Sequence, residues 1–140
     1  LYETYEPVCM KQNLELKLHL SEESYPAMLT DKDRLFQILC VFMDNAIQHS
    51  KNNSLIEIEV IATEKNIAFS VADHGQGISD EDKQYIFDRF YSGDKSHTNK
   101  SNFGLGLSIA KELTQMLNGT ITINDTAGGG ATFTVKFPLK

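Results

Sequence analysis

Apolar residues recur at two different spacings in this chain of 140 residues, and the change between the spacings limits the folds that it can adopt. Alternation at every second position is typical of a strand with one buried face, and recurrence at every third or fourth position is typical of a helix packed on a sheet. The alternating segments lie at residues 14–20, 56–60, 67–71, 121–123 and 133–137, and the helical ones at residues 31–50 and 105–117, with a weaker pattern at 1–12. The sequence therefore predicts an α+β fold, a two-layer α/β sandwich with about five mostly antiparallel strands in a mixed sheet and about three helices on one face.

The helical segment at residues 31–50 has a continuous apolar stripe, which consists of Leu35, Ile38, Leu39, Phe42, Met43, Ala46 and Ile47. At about 100° per residue, Val41, Asn45 and Gln48 fall on one flank of that stripe. A flank position borders the core without entering it, so we expect these side chains to line a pocket. The stripe of the later helix consists of Leu105, Ile109, Leu113, Met116 and Leu117.

Turn and loop signals connect these segments. Residues 63–66 join two of the alternating segments, which predicts an antiparallel hairpin. Ser79 and Asp82 resemble a capping pair that starts a short helix through Ile86. The polar stretches without a period lie at residues 21–30 and 92–103. The second of them is a long loop, and long loops in compact domains are usually functional lids or disordered.

Composition excludes several classes of function. The hydrophobic content of 41% and the charged content of 23% are those of a globular protein, and we expect one domain over residues 1–140. The formal net charge of −6 argues against a surface for nucleic acid or anionic lipid. No apolar run has the length of a membrane span, and we expect a cytoplasmic segment. Cys9 and Cys40 lack the spacing of metal ligands, so we expect free thiols in a reducing compartment.

Three separate features carry chemistry that one ligand would explain. Asn45 offers a neutral oxygen of the kind that Mg²⁺ prefers. Asp73, at the end of a strand and before a Gly-x-Gly turn, offers an acceptor for an exocyclic amine. Gly104 and Gly106 begin a helix whose free N–H groups and dipole favour phosphate. A metal ligand, an amine acceptor and a phosphate site together describe an adenine nucleotide.

Each feature also has an ordinary structural interpretation. An Asp-x-Gly-x-Gly sequence is often only a turn after a strand, and an Asn near a helix end is often solvated. Gly104 and Gly106, with Asp125 further on, also imitate a dinucleotide fingerprint, but a polar loop rather than a strand precedes them. The chain has no Gly-Lys-Ser/Thr sequence, which excludes a Walker-type loop, and the acidic residues 80–82 lack EF-hand spacing.

Five short motifs of this chain resemble those of the GHKL, or Bergerat-fold, ATP-binding proteins, in the order that the family has them. They are the N box Phe42-Met43-Asp44-Asn45-Ala46-Ile47, the G1 box Asp73-His74-Gly75-Gln76-Gly77-Ile78, the F box Ile86-Phe87-Asp88-Arg89-Phe90-Tyr91, the G2 box Gly104-Leu105-Gly106-Leu107-Ser108-Ile109 and the last glycine motif Gly128-Gly129-Gly130-Ala131-Thr132-Phe133. The F box and the Gly-Leu-Gly-Leu form are similar to those of the catalytic domain of two-component sensor histidine kinases.

This resemblance implies a role for each matching residue. Asn45 would bind Mg²⁺ and act as the catalytic residue, Asp73 would hydrogen bond the adenine amine, and residues 87–103 would form a flexible ATP lid. The N–H groups of Gly104, Gly106 and Leu107 would contact the phosphates. The full set of implied ATP-binding residues is Asn45, Gln48, His49, Asp73, Gly75, Gly77, Ile78, Phe87, Arg89, Phe90, Lys95, Gly104, Leu105, Gly106, Leu107 and Thr132.

The resemblance also implies partners. In the family, the γ-phosphate of ATP passes to a histidine on a separate helical dimerisation domain and then to a response regulator. None of the four histidines, His19, His49, His74 and His97, has the context of a phosphoacceptor helix. We therefore expect the chain to be the catalytic domain of a longer, membrane-bound sensor kinase, monomeric by itself and without direct contact to nucleic acid or membrane.

Three positions depart from the family's pattern. Val41 stands where kinases commonly have Asn, Gln48 replaces a frequent Lys, and His49 replaces a frequent Tyr. Relatives that hydrolyse ATP have a glutamate base at the position of Val41, and a valine cannot accept a proton. These departures leave two functions open: an active histidine kinase domain, or a degenerate nucleotide-binding module that senses or scaffolds without phosphotransfer.

Overall fold

The computed structural model describes residues 1–20, 31–51, 53–88 and 104–138. Its helices are α1 (Tyr2–Lys11), α2 (Lys32–His49), α3 (Asp80–Lys83) and α4 (Gly104–Met116), and its strands are β1 (Glu15–Leu20), β2 (Leu55–Ala62), β3 (Asn66–Ala72), β4 (Thr120–Asp125) and β5 (Ala131–Pro138). The predicted loops at residues 21–30 and 92–103 lie outside the described residues. Within the described ranges, every helix is too short or too polar to cross a bilayer.

The five strands form one mixed sheet in the order β1-β2-β3-β5-β4. β1 and β2 are parallel and the other three pairs are antiparallel, so β2 and β3 form the predicted hairpin. A parallel pair needs a crossover connection, and α2 lies within it. The fold class predicted from the two apolar spacings is therefore confirmed.

One face of the sheet carries the core, because side chains alternate between the two faces of a strand. Ile58, Val71 and Phe133 lie side by side across β2, β3 and β5, and all three are buried. The opposite face is polar and includes Glu57, Ser70 and Thr134 of the same strands. The buried face packs against α2, in which Phe42 stacks on Phe133 with 5.4 Å between ring centroids.

Helix α2 has the predicted stripe. Asp31 caps its start by accepting hydrogen bonds from the N–H groups of Asp33 and Arg34. The buried residues of the helix are Ile38, Leu39, Phe42, Met43, Asn45 and Ala46. Asn45 was expected to border the core without entering it, but only 6% of its surface is exposed, because the end of β3 and the start of β5 cover this flank.

The predicted stripe of α4 is wrong at Ile109 and Met116, whereas Leu113 and Leu117 pack against the core as predicted. Ile109 and Met116 are exposed, whereas Leu107, Ala110 and Thr114 are buried. α4 packs against α2 and also contacts β4, so two neighbouring elements cover parts of its surface. Thr114 is fully buried because its hydroxyl donates to the carbonyl oxygen of Ala110 one turn earlier, which satisfies the polar group within the helix.

Two smaller expectations also need correction. The helix expected to run from Ser79 through Ile86 ends at Lys83 and continues as turns, although the Oγ of Ser79 accepts the predicted capping hydrogen bond from the N–H of Asp82. In β1, Leu16 is buried but Leu18 and Leu20 are exposed, since they line an open apolar groove at the edge of the sheet. Cys9 and Cys40 are free, as predicted.

Candidate nucleotide site

A narrow cleft opens between the C-terminal half of α2, the turn after β3 and the start of β5. It is lined by Asn45, His49, Asp73, Gly77, Ile78, Ala131 and Phe133. These walls lie so close together that no water-sized sphere fits between them, so a flat ring system could enter only after the walls move apart.

Asp73 is the polar end of this cleft. Its side chain is on the core face of β3, one alternation beyond Val71, and only 3% of the residue is exposed. Oδ1 accepts hydrogen bonds from the N–H groups of Gly75, at 3.0 Å, and Ala131, at 3.2 Å. Among the described residues both hydrogen bonds of the carboxylate fall on Oδ1, which leaves Oδ2 as the acceptor for a ligand.

Two glycines allow the backbone to pack closely around Asp73. A Cβ on Gly75 would overlap the carbonyl oxygen of His49, so the turn after β3 can approach the end of α2 only without a side chain there. Gly130 has φ of +114°, and a Cβ on it would overlap the carbonyl oxygen of Asp73. The interpretation of Asp-x-Gly-x-Gly as only a turn does not include the contact between Gly130 and Asp73, because Gly130 is distant from this motif in sequence.

Asn45 lies in the same cleft as Asp73. Its Oδ1 atom is buried and receives no hydrogen bond from the described part of the chain. A buried amide oxygen without a donor costs free energy, about 1–3 kcal/mol, unless a ligand or cation fills the gap. The residue therefore fits a hard cation or a hydrated phosphate. Within the described ranges no group of three or more His, Cys, Asp or Glu side chains could hold a metal ion.

His49 supplies a neutral wall of the cleft. Burial lowers the pKa of its imidazole, and the negative charge of Asp73 opposes this shift only in part. The ring is therefore uncharged at neutral pH. A neutral imidazole can pack beside a flat ligand without adding a positive charge that would compete for the carboxylate of Asp73.

The first turn of α4 flanks the Asn45 end of the cleft. A Cβ on Gly106 would lie 3.6 Å from Cγ1 of Val41, and Val41 precedes Asn45 by one turn of α2. Gly104 is the first residue of α4, and the side chain of Leu107 is buried. The N–H groups of this first turn have no partners within the helix, which makes the turn a suitable phosphate site.

The remaining predicted residues are not all brought to the cleft. Gln48 is exposed, and Phe87 packs edge-on against Phe133 with 6.3 Å between centroids, which places it behind the cleft wall. Thr132 points to the opposite face of β5, where its hydroxyl pairs with that of Thr126 at 2.9 Å. The side chain of Leu105 is not described, and Arg89, Phe90 and Lys95 lie outside the described residues, as does nearly all of the predicted lid.

Two lining residues were missed from the sequence. Ala131 and Phe133 face the cleft, and the N–H of Ala131 contributes directly by donating to Asp73. The alternation of β5 could have identified them, since residues 131, 133, 135 and 137 share the buried face. Thr132 was selected because it belongs to the glycine motif, whereas the pleat of the strand turns its side chain away.

Comparison with known proteins agrees with this architecture. Residues 30–140 match the family described as histidine kinase-, DNA gyrase B-, and HSP90-like ATPases. The chain is 36% identical over 140 residues to the sensor protein CiaH of Streptococcus pneumoniae, covering 99% of this chain and 31% of CiaH. It is 37% identical over 124 residues to the signal transduction histidine-protein kinase ArlS of Staphylococcus haemolyticus, covering 88% of this chain and 27% of ArlS. The chain thus spans about a third of the length of these curated relatives.

Solved structures are similar over nearly the whole chain. The catalytic domain of histidine kinase ThkA, in a nucleotide-free form, superposes with a TM-score of 0.84 at 26% identity, covering 99% of this chain and 88% of that domain. Full-length ShkA in complex with AMPPNP superposes with a TM-score of 0.84 at 28% identity, covering 98% of this chain and 28% of ShkA.

Proposed function

Since this chain belongs to the family of histidine kinase-, DNA gyrase B- and HSP90-like ATPases, we propose that its residues 1–140 are the ATP-binding catalytic domain of a two-component sensor histidine kinase. The observation that carries the proposal is that Asp73 and Asn45 line the same cleft. Both are buried in one cleft, and each retains an acceptor oxygen that the described residues do not use.

The adenine end of the proposed site is built by Asp73. Its Oδ1 is held by two backbone N–H groups, so Oδ2 has a fixed direction in which to accept the exocyclic amine of adenine. Ile78 and Phe133 provide apolar walls, and the neutral ring of His49 closes the cleft without a competing charge. A guanine ring presents a carbonyl oxygen where adenine has the amine, and two acceptors would then face each other.

The phosphate end is built by Asn45 and the first turn of α4. Asn45 would hold Mg²⁺ through Oδ1, and the N–H groups of Gly104, Gly106 and Leu107 would bind phosphate oxygens. Bound Mg-ATP would supply a transferable γ-phosphoryl group, and its Mg²⁺ would offset part of the negative charge on the phosphates. The chain's own work is to position that group and to exclude water.

The acceptor would be a histidine outside this chain. His19 and His74 hydrogen bond Glu57 on the solvent face of the sheet, His49 is a wall of the cleft, and His97 lies outside the described residues. The transfer would form a phosphorus–nitrogen bond to a histidine of a helical dimerisation domain and break the bond between the γ-phosphorus and the β–γ bridging oxygen, which leaves with ADP. A response regulator would receive the phosphoryl group next. We propose a monomer in isolation and a cytoplasmic position in the whole kinase.

Calorimetric titration with ATP, in the presence and absence of Mg²⁺, tests the proposal. We expect affinity in the micromolar to millimolar range, stronger with Mg²⁺ than without, and no measurable binding of GTP. In Asn45→Ala the gain from Mg²⁺ should disappear, because the buried oxygen that would hold the cation is gone. If the wild-type chain binds no ATP with or without Mg²⁺, the proposal fails.

The next step separates a kinase from a degenerate nucleotide-binding module. The chain is mixed with the helical domain of its own full-length protein and labelled ATP, and transfer of the label to that domain is measured. Binding of ATP without transfer favours the degenerate module, which the departures at Val41 and Gln48 make the second candidate.

If the departures at Val41 and Gln48 weaken binding, then restoring the residues common in the family should increase the affinity for Mg-ATP. The double variant Val41→Asn, Gln48→Lys should bind Mg-ATP about tenfold more tightly, since a charge-assisted hydrogen bond is worth about 1.5–3 kcal/mol. Val41 faces Gly106, so an amide there would lie between Asn45 and the first turn of α4. Gln37→Lys adds the same charge at an exposed position of α2 and serves as the control. An unchanged dissociation constant in the double variant would contradict this prediction.

A further inference from the structure

Entry of a flat ring into the cleft requires a wall to move, and two of its three walls are firmly held. Asn45 and His49 belong to α2, whose 18 residues pack on the core face of the sheet. In the second wall, the N–H of Asp73 donates to the carbonyl oxygen of Ala131 at 2.9 Å, which continues the ladder between β3 and β5. Packed helices and hydrogen-bonded strands open only at a high free energy.

The third wall consists of Gly77 and Ile78, in the connection between β3 and α3. We call residues 76–78 the loop wall. In the part of the chain that the structure describes, no backbone hydrogen bond involves these three residues. Gly77 contacts the backbone of Gly130 by packing alone, since a Cβ on Gly77 would lie 3.4 Å from the carbonyl oxygen of Gly130. A segment with so few hydrogen bonds opens at a lower free energy than a helix or a sheet.

An ion pair attaches α3, which follows the loop wall, to the sheet. Nζ of Lys83 donates to Oδ1 of Asp125 at 2.6 Å, and only 18% of the Lys83 side chain is exposed. Asp125 is the last residue of β4, and the turn after it leads to Gly130, the residue that Gly77 contacts. Asp80 accepts from the same ammonium at 3.2 Å, but it lies in α3 itself and therefore joins no two elements.

Fixed points lie on both sides of the segment that contains the loop wall. Before it, Asp73 is bonded to Ala131 as described above; after it, Ile86 is fully buried in the core. Between these points, Lys83 connects the segment to β4. The hydrogen bond to Asp125 raises the pKa of Lys83, although desolvation opposes this shift, so the ammonium is charged at neutral pH.

We propose that Lys83 is a positioning residue that controls entry of the nucleotide: its ion pair with Asp125 holds the loop wall closed, and separation of the pair lets the wall open for the adenine ring. This inference rests on the proposed function of the cleft. ATP binds only the open form, so the apparent dissociation constant is the intrinsic one divided by the open fraction.

Loss of the ion pair raises the open fraction, and this has a distinct kinetic signature. The association rate constant and the affinity both rise by the same factor, because more of the free protein is ready to bind. The dissociation rate constant stays the same, because the pair is already separated when the ring lies between the walls.

Stopped-flow fluorescence with Mg²⁺ and ATP labelled on its ribose measures both rate constants. Lys83→Met and Asp125→Asn should each raise the association rate constant about twofold to fivefold, the effect of losing one surface ion pair, with dissociation unchanged. The two substitutions change the net charge in opposite directions. Electrostatic steering of an anionic ligand alone would therefore slow association in Lys83→Met and accelerate it in Asp125→Asn.

Three variants serve as controls. Lys83→Arg keeps the charge and the ion pair, so its association rate should equal that of the wild type. Asp80→Asn removes a carboxylate from the same ammonium but leaves the bond to Asp125, and it should also behave like the wild type. Lys17→Met removes an exposed lysine of β1 that lies 3.9 Å from Glu15, and it should not accelerate association.

The outcomes separate this inference from the proposed function. An association rate that is unchanged or reduced in Lys83→Met, while the wild type binds ATP, would overturn the role of the ion pair and leave the nucleotide site intact. Absence of ATP binding in the wild type and in both ion-pair variants would overturn the proposed function itself.

Discussion

Asp73→Asn is expected to weaken ATP binding by about 100-fold or more, since the lost bond and the new mismatch together are worth about 3 kcal/mol. Oδ1 would still accept from the N–H groups of Gly75 and Ala131, so the amide nitrogen of the variant would occupy the place of Oδ2. An N–H donor would then face the donor amine of adenine. These two donors would repel each other at the place where the wild-type carboxylate accepts a hydrogen bond from the amine.

This loss should occur without unfolding. Because the two backbone hydrogen bonds to Oδ1 are compatible with an amide, the melting temperature of Asp73→Asn should stay within a few degrees of that of the wild type. Asp80→Asn is the matched control, since the carboxylate of Asp80 is almost fully exposed on α3 and far from the cleft lining. Titration calorimetry of both variants decides the matter. Binding of ATP by Asp73→Asn within about threefold of wild type would remove Asp73 from the adenine site.

Gly130→Ala is expected to lower the free energy of unfolding by about 3 kcal/mol or more, which is a large part of the stability of a small domain. Two costs combine at this position. The residue has φ of +114°, where an L side chain is strained, and the new Cβ would overlap the carbonyl oxygen of Asp73 and crowd Cα of His74. Relief requires β5 and the end of β3 to separate, which would break the bond from the N–H of Ala131 to Asp73.

Gly128→Ala separates the two costs within the same turn. Gly128 also has a positive φ, of +86°, but no atom lies within 4 Å of the position of its Cβ. Its substitution should therefore cost only the backbone strain, about 1–2 kcal/mol. Urea or thermal unfolding of the two variants measures the difference. Equal destabilisation of the two variants would mean that the close approach of Gly130 to Asp73 adds nothing to the loss of free energy of unfolding.

The sequence by itself determined the type of most elements. Alternation and helical spacing are properties of one segment and its water-facing side, so they can be recognised without knowledge of what the segment packs against. The antiparallel hairpin, the stripe of α2 and the mixed sheet of five strands were all predicted in this way and are confirmed. The order of the glycine and asparagine motifs identified the family, to which the match over residues 30–140 assigns the chain.

Only the tertiary structure decided which residues meet. In α4, which packs against α2 and contacts β4, Ala110 and Thr114 are inside and Ile109 is outside, contrary to the local pattern. Thr132 belongs to the right motif but lies on the wrong face of β5, and Ala131 takes its place at the cleft. The physical reason is that a period specifies one face of an element, whereas a site is formed by the atoms that several elements, distant in sequence, bring within hydrogen-bonding distance of one another.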